Sequence, residues 1–163
     1  MSTEVVVADT SPLIGLARIG QLALLPALFG RITIPRAVWE ELTQGAAEGR
    51  AGARDVQEAS WIDVRAADPV AAAAYKLLVD RGEAEALALA SASPDALLII
   101  DDRRGRRIAR ERGVRMVGTL GVLVLARRRN LVPKLRPLLD ALQQAGIYLS
   151  AGVLERVLRE VGE

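Results

Sequence analysis

With 163 residues, 51% of them hydrophobic, the chain suffices for one compact domain with a sizeable core and is short for two. Cysteine and histidine are both absent, which excludes disulfides, thiol nucleophiles, Ser-His triads, histidine-ligated haem and the usual zinc sites. The net charge of +2 is unevenly spread: residues 1–100 carry 8 basic and 13 acidic side chains, whereas residues 101–163 carry 14 and 7.

Val5-Val6-Val7-Ala8 is an apolar, β-branched run of the kind buried on both faces of a parallel sheet, and it stops at Asp9. Ser11-Pro12 reads as a helix start, with Ser11 as N-cap, and Gln21 to Phe29 as a second helical segment. Arg31 to Ile34 predicts a short strand, and Pro35 opens a helix through Glu40, Glu41 and Leu42. Thr43 to Ala59 reads as part helix, part exposed connection. Trp61 to Val64 alternates like an edge strand, and Pro69 begins an Ala-rich helix to about Val79 that Arg81-Gly82 breaks.

Glu83 to Ala92 predicts a helix. Leu97 to Ile100 is the clearest buried strand, ending at Asp101-Asp102 and followed by an arginine-rich helix to Arg112. Val114 to Val117 predicts another strand, and a helix with Leu120, Leu123 and Leu125 follows. Two amphipathic helices, from about Pro133 to Gln144 and from Ser150 to Val161, close the sequence. Strands alternating with helices imply an α/β domain spanning 1–163, with a parallel sheet covered on both faces and the helices from about 133 packed on it. Neither a GxGxxG nor a GxxxxGK[ST] pattern is present. The absence of a long apolar run and of a basic-led leader predicts a soluble, cytoplasmic protein with no membrane segment.

Chemistry in such a chain falls to carboxylates, hydroxyls, arginines, two lysines or a bound hard cation, and nitrogen-free carboxylate sites select Mg²⁺ or Mn²⁺. Parallel sheets bind ligands at the carboxyl ends of their strands, where Asp9 and Asp101/Asp102 share a rim if their strands are neighbours. Aspartate also caps helices, which is the simpler account of Asp9 taken alone. Two adjacent acids at a buried strand end repel each other unless a cation or the following arginines compensate. Glu83 and Glu85 fall in a first helical turn, where the dipole favours acids, but two residues apart they face different ways.

The order and spacing of these residues resemble PIN-domain nucleases, in particular a toxin-like branch opening V-x-D-x-S-P-L-I-x-L, here Val7 to Leu16. Ile34 to Leu42 is similar to the family's I-P-x-x-V-x-x-E-L, which places its second acid at Glu41. Gly82 to Ala90 is similar to G-E-x-E-A-I-x-L-A, which points to Glu85, with Glu in place of the commoner Asp. Leu98 to Ala109 resembles l-i-D-D-x-x-x-R-x-x-A, and the tail from Gly146 also fits. The resemblance implies a three-layer α/β/α fold and a metal-dependent ribonuclease of toxin–antitoxin type. Asp9, Glu85, Asp101 and Asp102 are then the expected ligands of Mg²⁺ or Mn²⁺, with Glu41 across the pocket.

Ser11, Arg103 and Arg107 are the expected substrate contacts; for Ser11, helix capping is the competing role. RNA, a cognate antitoxin and a second copy of the chain are the expected partners, the last meeting through Leu22, Leu25, Leu28 and Phe29. A receiver domain would need an acidic pair after the first strand and a lysine after a later one. A haloacid-dehalogenase-like phosphatase would need Asp-x-Asp, where this chain has Ser11. The alternative of substance is a PIN fold that has lost catalysis and binds RNA or protein.

Overall fold

The computed structural model describes residues 4–163. Its centre is strand β1 (Val6–Ala8), every residue of which is buried. β1 pairs in parallel with β2 (Ile32–Pro35) on one side and β4 (Leu97–Ile99) on the other; β3 (Ile62–Arg65) and β5 (Arg115–Val117) complete a five-stranded sheet of order β3-β2-β1-β4-β5. All pairings are parallel, so the chain returns through helices, and β3 is an edge strand as its alternating pattern predicts.

Side chains alternate between two cores. Val6, Ala8, Ile32, Ile34, Leu97 and Ile99 face a layer containing α1 (Thr10–Arg18), α2 (Leu24–Phe29), α3 (Arg36–Ala47), α4 (Ala53–Gln57) and α8 (Thr119–Arg128), joined by α9 (Arg136–Gln144) and α10 (Ala151–Glu160). Val7, Leu98 and Ile100 face α5 (Pro69–Tyr75), α6 (Arg81–Ser91) and α7 (Arg103–Glu111). The result is a three-layer α/β/α sandwich. Among the described residues, no helix is long and apolar enough to cross a membrane.

Several elements differ from the sequence reading. Ser11 is not an N-cap: α1 starts at Thr10, the N-cap position belongs to Asp9, and Ser11 is an exposed second residue. Gly82 does not break the chain. It lies in the first turn of α6, which Asp80 caps by accepting from Glu83 N while Glu83 reaches back to Asp80 N, a reciprocal capping box. Helix α9 starts at Arg136 rather than Pro133. Leu25 and Leu28 are buried in the chain's own core, with Leu22 and Phe29 packed against it; exposed large apolar side chains are found instead at Val70, Leu77 and Leu78.

The topology fixes where a site can form. From β1 the chain adds β2 and β3 on one side, then crosses back to place β4 on the other. The connections after β1 and β4 therefore diverge, leaving a crevice between the carboxyl ends of those two strands.

Candidate active site

Asp9 and Asp102 enter this crevice directly. Asp9 N donates to Ile99 O at 3.0 Å, so Asp9 continues the β1–β4 ladder by one residue before α1 begins. Although it occupies the N-cap position of α1, its carboxylate accepts no capping hydrogen bond, and the side chain is left for another purpose. Asp102 is the N-cap of α7 and accepts from Gly105 N at 2.7 Å through Oδ2.

Glu41 comes from the second turn of α3, where Thr10 Oγ1 donates to its Oε2 at 2.7 Å. Gly82 shapes the gap between Glu41 and Asp9. A Cβ at Gly82 would lie 2.6 Å from Glu41 Oε1 and 3.6 Å from Asp9 Oδ1, so only glycine leaves both carboxylates where they are. Glu83, next in α6, also faces the cluster.

The electrostatics are those of charges without a counterion. Burial pushes the Asp9 carboxyl up to about 7, an effect partly offset by the Thr10 amide and reinforced by the negative charges of Glu41, Asp80 and Asp102. Glu83 is likewise raised to about 7, first by desolvation and then by Asp80, Asp102 and Asp9. The floor of the site is buried at Asp9, whereas Glu41 and Asp80 are exposed at its rim, so the cluster opens to solvent.

The structure thus brings together Asp9, Glu41 and Asp102, and adds Asp80 and Glu83. The D-x-x-E spacing of the last two is readable in sequence as a capping box, which is the signal that locates them.

Glu85 and Asp101 are placed differently. Glu85 is buried with both oxygens engaged, Oε1 by Ala37 N at 3.2 Å and Oε2 by Arg81 Nε at 3.0 Å. Asp101 accepts from Thr119 N at 2.7 Å and from Thr119 Oγ1, capping α8. In each case the helix starts after a residue that has no capping side chain, Pro35 for α3 and Gly118 for α8. An acid from elsewhere in the fold fills the role, and that role occupies the oxygens of Glu85 and Asp101.

Arg103 and Arg107 are exposed on α7. Arg104 and Arg106 are tied to the carbonyls of Leu78 and Ile100. A cleft of about 1300 Å³ touches Asp101, Arg106 and Gly118 and continues along α8, but its lining includes none of Asp9, Glu41, Glu83 or Asp102. Its size therefore says nothing about the acidic cluster.

Among the described residues, no three carboxylates stand close enough to grip an ion unaided. The donors are nonetheless all oxygen, the space at Gly82 is kept open, and Asp9 carries an ionisation cost that a cation would relieve. Mg²⁺ typically keeps several waters and takes only one or two carboxylates directly. The residues present fit that ion.

These features define a three-layer α/β/α protein with carboxylates clustered at the crossover of its sheet. A family model described as a PIN domain, DUF3368, matches residues 5–163, and the chain belongs to the PIN-domain family. PIN domains are generally nucleases and generally depend on divalent metal. No curated protein and no solved structure matches the chain.

Proposed function

We propose that the protein is a Mg²⁺- or Mn²⁺-dependent endoribonuclease acting in the cytoplasm as the toxin of a toxin–antitoxin pair. One observation carries the reading: a buried aspartate at the crossover of the sheet, with its carboxyl raised to about 7 by burial and by Glu41, Asp80 and Asp102. Such an arrangement is costly to the folded chain unless a cation offsets it.

Asp9 and Asp102 would hold the ion, with Glu41 and Glu83 holding its waters. When bound, a divalent ion supplies an acidified water and offsets charge on the leaving oxygen of a phosphodiester. The chain's own contribution is placement. Thr10 fixes the Glu41 carboxylate by donating to Oε2, and Gly82 keeps the approach between Glu41 and Asp9 free. The open rim admits a polymer backbone. Arg103 and Arg107, exposed on the helix that leaves the same strand end as Asp102, would contact phosphates of the bound RNA.

The test is cleavage of single-stranded RNA with Mn²⁺, with and without EDTA, together with RNA binding at several salt concentrations in an Asp9→Asn background. Cleavage abolished by EDTA and a salt dependence flattened by Arg103→Ala/Arg107→Ala are expected. Binding without cleavage under any divalent ion would favour a PIN fold that only binds RNA. Growth arrest on expression, relieved by co-expressing the adjacent reading frame, tests the toxin assignment.

A further inference from the structure

Helix α3 starts after Pro35, which offers no side chain to its first-turn amides. Glu85 supplies the missing acceptor from α6, taking Ala37 N on Oε1. Its Oε2 takes Arg81 Nε from one turn earlier on the same helix, and Arg81 Nη1 reaches on to Glu40 Oε2. A buried carboxylate is tolerated when its oxygens are paired in this way. The network binds the first two turns of α3 to the first two turns of α6 through three side chains and one amide.

The same helix starts carry the site. Ala37 and Glu41 are four residues apart and share a face of α3, as Arg81 and Glu85 share a face of α6. Between them lies Gly82, over which Glu41 approaches Asp9. Whatever sets α3 on α6 therefore also sets the Glu41 carboxylate.

We propose that Glu85 and Arg81 are positioning residues which, with Glu40, brace α3 against α6 and thereby hold Glu41 against Thr10 and opposite Asp9. This inference rests on the acidic cluster being the reaction site. It gives Glu85 a role other than metal ligand: the acid serves the site through the Ala37 amide. Exposed ion pairs contribute little to stability, so the brace acts on geometry, where a displacement of about 1 Å is worth up to about 100-fold in rate.

The experiment compares Glu85→Gln, Glu85→Ala, Arg81→Ala and the Glu85→Gln/Arg81→Ala double variant of the full chain. It measures RNA cleavage, the half-saturating Mn²⁺ concentration by electron paramagnetic resonance, thermal stability, and hydrogen exchange at the Ala37 amide. Each single variant is expected to lower kcat about 10-fold, with KM and Mn²⁺ half-saturation moved less than about 3-fold. The double variant should be no slower than the slower single, because both break one brace. Ala37 exchange should quicken about 10-fold in Glu85→Ala, which leaves no acceptor, whereas Glu85→Gln keeps one.

A Mn²⁺ half-saturation raised about 100-fold by Glu85→Gln, with Arg81→Ala unaffected in kcat, would make Glu85 a ligand and overturn the proposal. Unchanged Ala37 exchange in Glu85→Ala would overturn it too. If the Glu85 variants do not fold, Arg81→Ala and Glu40→Gln decide, and an unchanged kcat in both is fatal. If the parent protein cleaves no RNA, the nuclease reading fails by itself; quickened Ala37 exchange with unmoved Mn²⁺ binding still supports the brace.

Discussion

The two ends of the sheet use the same residue types to opposite effect. At the amino ends of the strands, Arg115 meets Glu4 at 2.7 Å, and Arg31 grips Asp63 with Nε and Nη2 at 2.8 and 2.7 Å. The guanidinium beside Asp63 holds its carboxyl below the usual range. At the carboxyl ends, Asp9 faces Glu41, Asp80 and Asp102, and its carboxyl is pushed the other way. The nearby Arg81 is engaged with Glu40 and Glu85 instead. One end is neutralised by the chain itself; the other is left anionic and partly dry. The difference teaches that one carboxyl type is pushed in opposite directions, down by a paired guanidinium and up by burial among like charges.

The sharpest way to break this contrast is to remove the central charge. Asp9→Asn is expected to lower divalent-dependent RNA cleavage by a factor on the order of 10³ or more. It should also raise the melting temperature of the metal-free protein by about 5 °C, because a desolvated, repelled carboxylate is gone. Steady-state cleavage and calorimetry in EDTA check both halves. Near-normal turnover would remove Asp9 from the centre of the site.

Gly82→Ala tests the space rather than the charge. Alanine favours helix over glycine by about 1 kcal/mol, so on propensity alone the variant should be stabilised. Its Cβ, however, would sit 2.6 Å from Glu41 Oε1. A carboxylate at the end of a flexible side chain can swing aside, so the fold should tolerate the change and the site should not. A 10- to 100-fold loss of kcat at unchanged or higher stability is expected. Wild-type turnover would mean that the Glu41 position is not used.

The pH dependence of the metal-free protein gives the third test. Asp9 has an ordinary value of 3.8 and a folded value of about 7. Between those limits the folded state keeps a proton that the unfolded state has lost, so stability falls as pH rises from about 4 to about 7 and then levels off. A metal-free melting temperature about 5 °C lower at pH 8 than at pH 5 is expected. Asp9→Asn should reduce that slope to the part that Glu83, also raised to about 7, contributes, and added Mg²⁺ should raise the melting point more at pH 8 than at pH 5. A flat profile in the parent protein would contradict the desolvated, repelled Asp9.

How much of this was legible in the sequence depends on whether the partner is local. The strands at Val6–Ala8 and Leu97–Ile99 were readable because burial on both faces requires uninterrupted apolar runs. Their parallel pairing places Asp9 and Asp102 in one crevice. Local caps are also readable: Asp80 with Glu83 and Ser150 before Val153 show the required spacing of three.

Caps supplied across the fold leave no such trace. Glu85 on α3, Asp101 on α8 and Glu163 on the first turn of α9 each serve a helix that starts after a non-capping residue, far away in sequence. In a linear reading, nothing at Glu85 or Asp101 signals the distant helix start that each serves. Leu25 and Leu28, expected on a dimer surface, are buried in the chain's own core, because apolar periodicity does not say whether the covering layer is the chain's own.

The smallest effect belongs to the neutralised end. Arg31 and Asp63 are both well exposed, at 61% and 41% of their side-chain surfaces. Exposed pairs gain little because water screens them and because two long side chains must be held in one geometry. Asp63→Asn is expected to shift the melting temperature by no more than about 2 °C. The sign with pH is opposite to that of Asp9: a depressed carboxyl stabilises above its ordinary value near 3.8 and loses that contribution as pH falls through the folded value. Salt separates the two ends further. At 1 M NaCl the Debye length is about 3 Å, which should erase the Asp63 effect, while the burial-driven rise at Asp9 should largely persist. Melting curves of the two variants at low and high salt, metal-free, put both ends on one scale. A shift at Asp63 equal to that at Asp9, or one that survives salt, would mean that the two ends of the sheet are not electrostatically distinct.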